Sequence, residues 1–350
     1  MVNQPRWLVN RSARAVIPLT QARIRVDWDV SQPYHRHMEY SGKASYAVGL
    51  VSTGRGLVQA TRPKQWTKNL LVFMALFFTI NEAWDASDLG EMLPLLAKTT
   101  LGFLIFCALS GAVYLANDVV DARRDRLHPT KRFRPIASGQ LAVSTSLTTA
   151  AVLAAAGVAS AFLVEPLFGG VATSYLATMT AYTLVLKQLI VLDVFAISAG
   201  FVLRTVAGAA VIQVPISPWL YLCTGLGALF IALAKRRCEL ASAGDRAASQ
   251  RSTLEWYTQG LLDQLIAVVA TSVVIAYSFY TFTAQNLPDN HTMMLTIPFV
   301  VYGVFRYTYL MRVKNAAESP EDVLTSDVPL IVTIVSWLAT AATVLVMFRD

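Results

Sequence analysis

Runs of apolar residues recur along most of the chain, separated by short polar stretches. They fall near residues 69–80, 93–116, 141–163, 168–186, 191–213, 218–235, 261–283, 292–311 and 328–348. A helix that crosses a bilayer core needs about 20 such residues. The pattern predicts an all-α, polytopic membrane bundle of about nine helices. The first run is shorter than the rest, and Trp66 and Trp84 flank it as interfacial aromatic residues do. Small residues inside the runs, as in Ala150-Ala151 and Gly225-x-Gly227, suit close helix packing. Residues 49–350 read as one transmembrane catalytic domain. Residues 1–48 are basic and irregular, without an apolar core, and read as a cytoplasmic extension compatible with disorder.

Composition sharpens this picture. Of 350 residues, 55% are hydrophobic and only 15% charged, against about 25% charged in an average soluble domain. The net charge of +7 would suggest nucleic acid in a soluble protein. Here the basic residues gather in alternate loops, at Arg123 to Arg134, at Lys235 to Arg251, and at Arg312 and Lys314. The opposite loops hold Glu82, Asp85, Asp88, Glu91, Glu165 and Asp289. That asymmetry predicts a cytoplasmic N-terminus and cytoplasmic basic loops, and no nucleic-acid role. Cys107, Cys223 and Cys238 are odd in number and lack metal-ligand spacing, which argues against a disulfide framework. Nothing in the pattern selects between a single copy and a homo-oligomer.

The second run ends in Asn117-Asp118-Val-Val-Asp121-Ala-Arg-Arg-Asp125. At about 100° per residue, Asp118, Asp121 and Asp125 lie near about 100°, 40° and 80° from Asn117, all on one helical face. Carboxylates crowded at a membrane boundary are functional by default, and a cation would relieve their repulsion. Oxygen ligands of this kind suit Mg²⁺ bound through a few carboxylates and substrate phosphates, so a magnesium-diphosphate is the expected ligand. Beyond them comes His128-Pro-Thr-Lys131-Arg132-Phe-Arg134-Pro135, whose prolines fix a loop. Lys131 and Arg134 are placed to meet phosphate, and Arg can do so bidentately. Lys68 and Asn69 stand at the mouth of the first run, within expected reach of a phosphate at the cytoplasmic rim. In the second half, Tyr182 and Lys187 precede Asp193 and Arg204, which share a helical face about 16 Å apart. They are too far apart to pair and are expected to face a polar cavity.

These residues resemble the UbiA superfamily of intramembrane prenyltransferases. The likeness rests on Arg62-Pro63…Lys68-Asn69, Asn117-Asp118-x-x-Asp121-x-x-x-Asp125 and Lys131-x-x-Arg134-Pro135, and extends over residues 58–348. Members carry a second aspartate-rich motif, where this chain has Tyr182, Lys187 and a lone Asp193. That substitution is similar to a branch whose members move phosphoribosyl from phosphoribosyl diphosphate to decaprenyl phosphate. The resemblance implies Mg²⁺ on Asp118, Asp121 and Asp125, with Asn117 orienting the cluster. It implies phosphate contacts from Lys187, Tyr182 and Lys68, and a product destined for cell-wall arabinan. A prenyl-diphosphate transferase with an aromatic acceptor and a membrane transporter are the competing expectations.

Overall fold

The computed structural model describes residues 53–215, 217–243, 252–284, 287–314 and 319–349. The expected 1–48 extension, Arg246 and Arg251 lie outside these. The chain enters through α1 (53–60) and turns at Arg62, whose φ of 55° is left-handed. Pro63 then opens a 3₁₀ helix, Pro63–Phe73, which continues as α2 (Met74–Phe78). A 3₁₀ helix rises about 2.0 Å per residue against about 1.5 Å for an α-helix. Eleven residues of one and five of the other therefore reach about 30 Å, the depth of a bilayer core.

Next comes α3 (Leu89–Asp125), whose first turn is capped by Asp88 accepting from the Gly90 N–H at 2.7 Å. Its 37 residues span about 55 Å, well beyond an apolar core of about 30 Å. The surplus carries Asn117–Asp125 past the apolar run. The remaining long helices are α4 (Val143–Val164), α5 (Pro166–Leu184), α6 (Leu192–Ile212), α7 (Pro218–Ala243), α8 (Gln259–Thr283), α9 (Ile297–Lys314) and α11 (Val328–Phe348). A short α10 (Pro320–Ser326) lies between α9 and α11. Consecutive helices from α3 to α8 pack on one another, as short connections dictate.

The protein is an all-helical membrane bundle, but the count of nine spans is not confirmed. Among the described residues, seven helices are long and apolar enough to cross a membrane. The first run divides into the 3₁₀ helix and α2, and the 19-residue α5 is diluted by Thr, Ser, Tyr and Gly. The 3₁₀ segment sits close against α6. A Cβ at Gly208 would lie 2.0 Å from the Val72 carbonyl oxygen, so only glycine admits that approach.

Candidate active site

The acidic face of α3 forms as its spacing requires, but it meets partners on two sides. At the near edge of the arc, Asn117 and Asp121 accept from the Lys187 ammonium at 3.3 and 2.6 Å. At the far edge, Asp118 accepts from Arg62 and, at 3.2 Å, from Arg134. The same Arg134 nitrogen donates to Asp125 at 2.6 Å. Asp118 and Asp125 are buried, while Asp121 is half-buried.

Local sequence explains each arrival. The left-handed turn at Arg62, just before Pro63, throws its side chain toward α3, where it also lies over the Tyr114 ring at 5.0 Å. Arg134 is returned by a folded loop. The His128 ring accepts from the backbone of Thr130 and Lys131, Arg126 donates to the Ala137 carbonyl at 3.1 Å, and Leu141 N–H closes on the Pro135 carbonyl at 2.9 Å. Lys187 stands on a single 3₁₀ turn, Leu186–Gln188, between α5 and α6. Lys131 lies half-buried within electrostatic reach of Glu239, Arg134, Asp125 and Lys235; burial holds its ammonium below the usual lysine value.

Other expected residues lie elsewhere. Lys68 donates to Gln65 on its own 3₁₀ helix. Asn69 does not reach the rim. It is fully buried, donates to Ser110 at 3.2 Å and accepts from Arg204 at 2.7 Å. Arg204 and Asp193, expected to face a polar cavity, are buried and paired inside the bundle. Arg204 also donates to the Gly200 carbonyl and the Tyr175 hydroxyl, each at 2.8 Å, and so ties α5 and α6 to the 3₁₀ helix. Asp193 accepts from Arg236 at 2.8 Å and from the Tyr257 hydroxyl at 3.0 Å. Both charges are met inside the bundle by groups that helical spacing alone does not reveal. Tyr182 is half-buried, within electrostatic reach of Arg236.

The donor set is all oxygen, the chemistry that Mg²⁺ prefers, and Mg²⁺ needs only one or two carboxylates beside substrate phosphates. The three aspartates do not converge into a ready-made cluster. Among the described residues no group of three or more ligating side chains could hold a metal alone. The reason is that Arg62, Arg134 and Lys187 already neutralise them from opposite sides. The face therefore fits a metal that arrives with its own anionic ligand.

An apolar groove of about 220 Å³ lies among α7, α8, α9 and α11, lined by Phe230, Ile231, Val273, Phe299, Val304 and Trp337, with neighbours.

A bundle of membrane helices with this acidic face and its Arg-Pro loop defines an intramembrane transferase, and the chain belongs to the UbiA prenyltransferase family, whose model matches residues 70–325. It is 34% identical over 285 residues to decaprenyl-phosphate phosphoribosyltransferase of Mycobacterium tuberculosis, covering 81% of this chain and 92% of that protein. The enzyme of the same name from Corynebacterium glutamicum is 33% identical over 291 residues, with 81% and 84% covered. Among solved structures, a UbiA homolog from Archaeoglobus fulgidus bound to DMAPP and Mg²⁺ shares the fold. Its TM-score is 0.63 at 17% identity, with 83% of this chain and 99% of that chain covered.

Proposed function

We propose that this membrane enzyme transfers a 5-phosphoribosyl group from phosphoribosyl diphosphate to decaprenyl phosphate, releasing diphosphate. One observation carries the reading. The carboxylates of Asn117–Asp125 are met by cations from three separate segments, Arg62, Arg134 and Lys187, in a chain 34% identical to enzymes of that name. Such a face offers a diphosphate both metal-binding oxygens and direct donors.

In this reading Arg134 and Lys131 bind oxygens of the donor diphosphate, Arg134 with two parallel donors. Lys187, with Tyr182 and Lys68, holds the 5-phosphate or the acceptor phosphate. The acceptor oxygen is already anionic and needs no general base. It bonds to ribosyl C1 as the C1–O bond to diphosphate breaks, and that electron pair leaves with diphosphate. Asp118, Asp121 and Asp125 would hold Mg²⁺, which when bound neutralises charge on the departing group. Asn117 orients the cluster. The apolar groove among α7, α8, α9 and α11 has the chemistry that a polyprenyl chain needs. We place the acidic face and N-terminus in the cytoplasm, following the basic loops. A product of this kind would feed arabinan synthesis.

The test is incubation of purified protein with radiolabelled phosphoribosyl diphosphate and decaprenyl phosphate. Label should pass to lipid, stop with a chelator and resume with Mg²⁺. Label that stays in the aqueous phase, with labelled dimethylallyl diphosphate reacting instead on an aromatic acceptor, would replace this reading by the prenyl-donor one. Accumulation of unmodified label inside vesicles would replace it by transport.

A further inference from the structure

The segment that carries Lys187 ends in a strained turn. Val191 has φ 67° and ψ −46°. The Leu192 N–H donates to the Ile190 carbonyl at 2.7 Å, which makes Val191 the centre of a γ-turn. This form is rare and strained, and a β-branched residue tolerates positive φ poorly. Such a conformation persists only where its surroundings over-determine it.

The surroundings are a chain of hydrogen bonds from distant segments. The Val191 N–H donates to the Tyr257 hydroxyl at 2.8 Å. That hydroxyl donates to one Asp193 oxygen at 3.0 Å, and the other oxygen accepts from Arg236 at 2.8 Å. All three side chains are buried, with Asp193 at 0%, Arg236 at 1% and Tyr257 at 3% exposure. Burial first, and Asp193 second, push the Tyr257 phenol up to about 12, so it keeps the proton it donates. One turn earlier in the chain, Lys187 makes its bonds to Asp121 and Asn117.

We propose that Tyr257 is a positioning residue of the transferase: its hydroxyl clamps the Val191 turn and thereby sets where Lys187 meets Asp121 and Asn117. The proposal rests on the reading of Lys187 as a contact of the reacting phosphates. Tyr257 does not touch substrate; it acts through the backbone that Lys187 stands on.

The test uses the purified full chain. In Tyr257→Phe, hydrogen–deuterium exchange of residues 185–193 should quicken. The kcat/KM for phosphoribosyl diphosphate should fall about tenfold, the worth of a hydrogen bond to a charged group. In a Lys187→Ala background the same change should cost less than about twofold, because the route runs through Lys187. Adding Val191→Gly to Tyr257→Phe should recover activity, since glycine takes positive φ without penalty. Unchanged exchange overturns the clamp. A full additional loss in the Lys187→Ala background overturns transmission through Lys187. Loss of folding in Tyr257→Phe with and without Val191→Gly assigns the hydroxyl a purely structural role and also overturns it. Lys187→Ala working at the parent rate sinks the assignment of Lys187 itself, a failure separate from an impaired Lys187→Ala with an indifferent Tyr257→Phe.

Discussion

Removing the Lys187 ammonium separates what it does for the fold from what it does for the reaction. Its nitrogen lies 2.6 Å from Asp121 and 3.3 Å from Asn117, and its side chain is 11% exposed. Asp121 is 23% exposed, so water can solvate the carboxylate that Lys187→Ala strands. The stability cost should therefore be about 1 kcal/mol, well short of the ~3–5 kcal/mol for breaking a fully buried pair. The effect on transfer should be larger. A hydrogen bond to a charged group is worth about 1.5–3 kcal/mol, which at 1.36 kcal/mol per decade is about 10- to 150-fold in kcat/KM. Lys187→Ala/Asp121→Asn removes both charges and should regain the stability without regaining the rate. The assay is labelled transfer to decaprenyl phosphate with the donor varied, beside a thermal-unfolding measurement in detergent. A Lys187→Ala protein with kcat/KM within twofold of the parent would refute the assignment. So would a double variant that recovers rate together with stability.

Asp118→Ala or Asp121→Ala should abolish turnover and leave folded protein, checked by the transfer assay and size-exclusion chromatography; activity in both would remove the carboxylates from the chemistry. Gly208→Ala should destabilise the protein by about 1–3 kcal/mol or more, because its Cβ would meet backbone at Val72, and thermal unfolding reads this directly. Lys131 should lose its proton below 10.5, because burial penalises its charged form. Donor KM should therefore rise with increasing pH earlier than an ordinary lysine would cause, and Lys131→Arg should move that rise to higher pH. The linked stability has the opposite sign. The buried ammonium is penalised in the folded state, so stability should increase as pH climbs through the lowered value toward 10.5.

The acidic face was legible because helical periodicity is local: Asn117, Asp118, Asp121 and Asp125 lie within nine consecutive positions of one helix. Periodicity also contains the division into two sides, since Asn117 and Asp121 occupy one edge of the arc and Asp125 and Asp118 the other. What it omits is which element faces each edge. Arg62, 56 residues from Asp118, was seen in its motif but not assigned to the site; its position before Pro63 was the available signal. The partners of Asp193 and Arg204 are hidden from the sequence for the same reason. Arg236, Tyr257 and Asn69 are 43, 64 and 135 residues away, and only tertiary packing brings them together. Among the described residues, seven long apolar helices stand against nine predicted runs because the first run is split between a 3₁₀ segment, which covers depth with fewer residues, and the five-residue α2, and because α5 is diluted by small and polar residues.

The pairing of Asp118, Asp121 and Asp125 with Arg62, Arg134 and Lys187 leaves this stretch of the wall with no net charge. Attraction of a polyanion from afar then rests with the surplus basic residues beside these pairs, Lys131 and Lys235 among them. Selection then falls to contacts made within a few ångströms, where each ion pair must open before its members can turn to an incoming phosphate. Encounter should slow with added salt through those flanking cations, while discrimination should sit in how long the visitor stays.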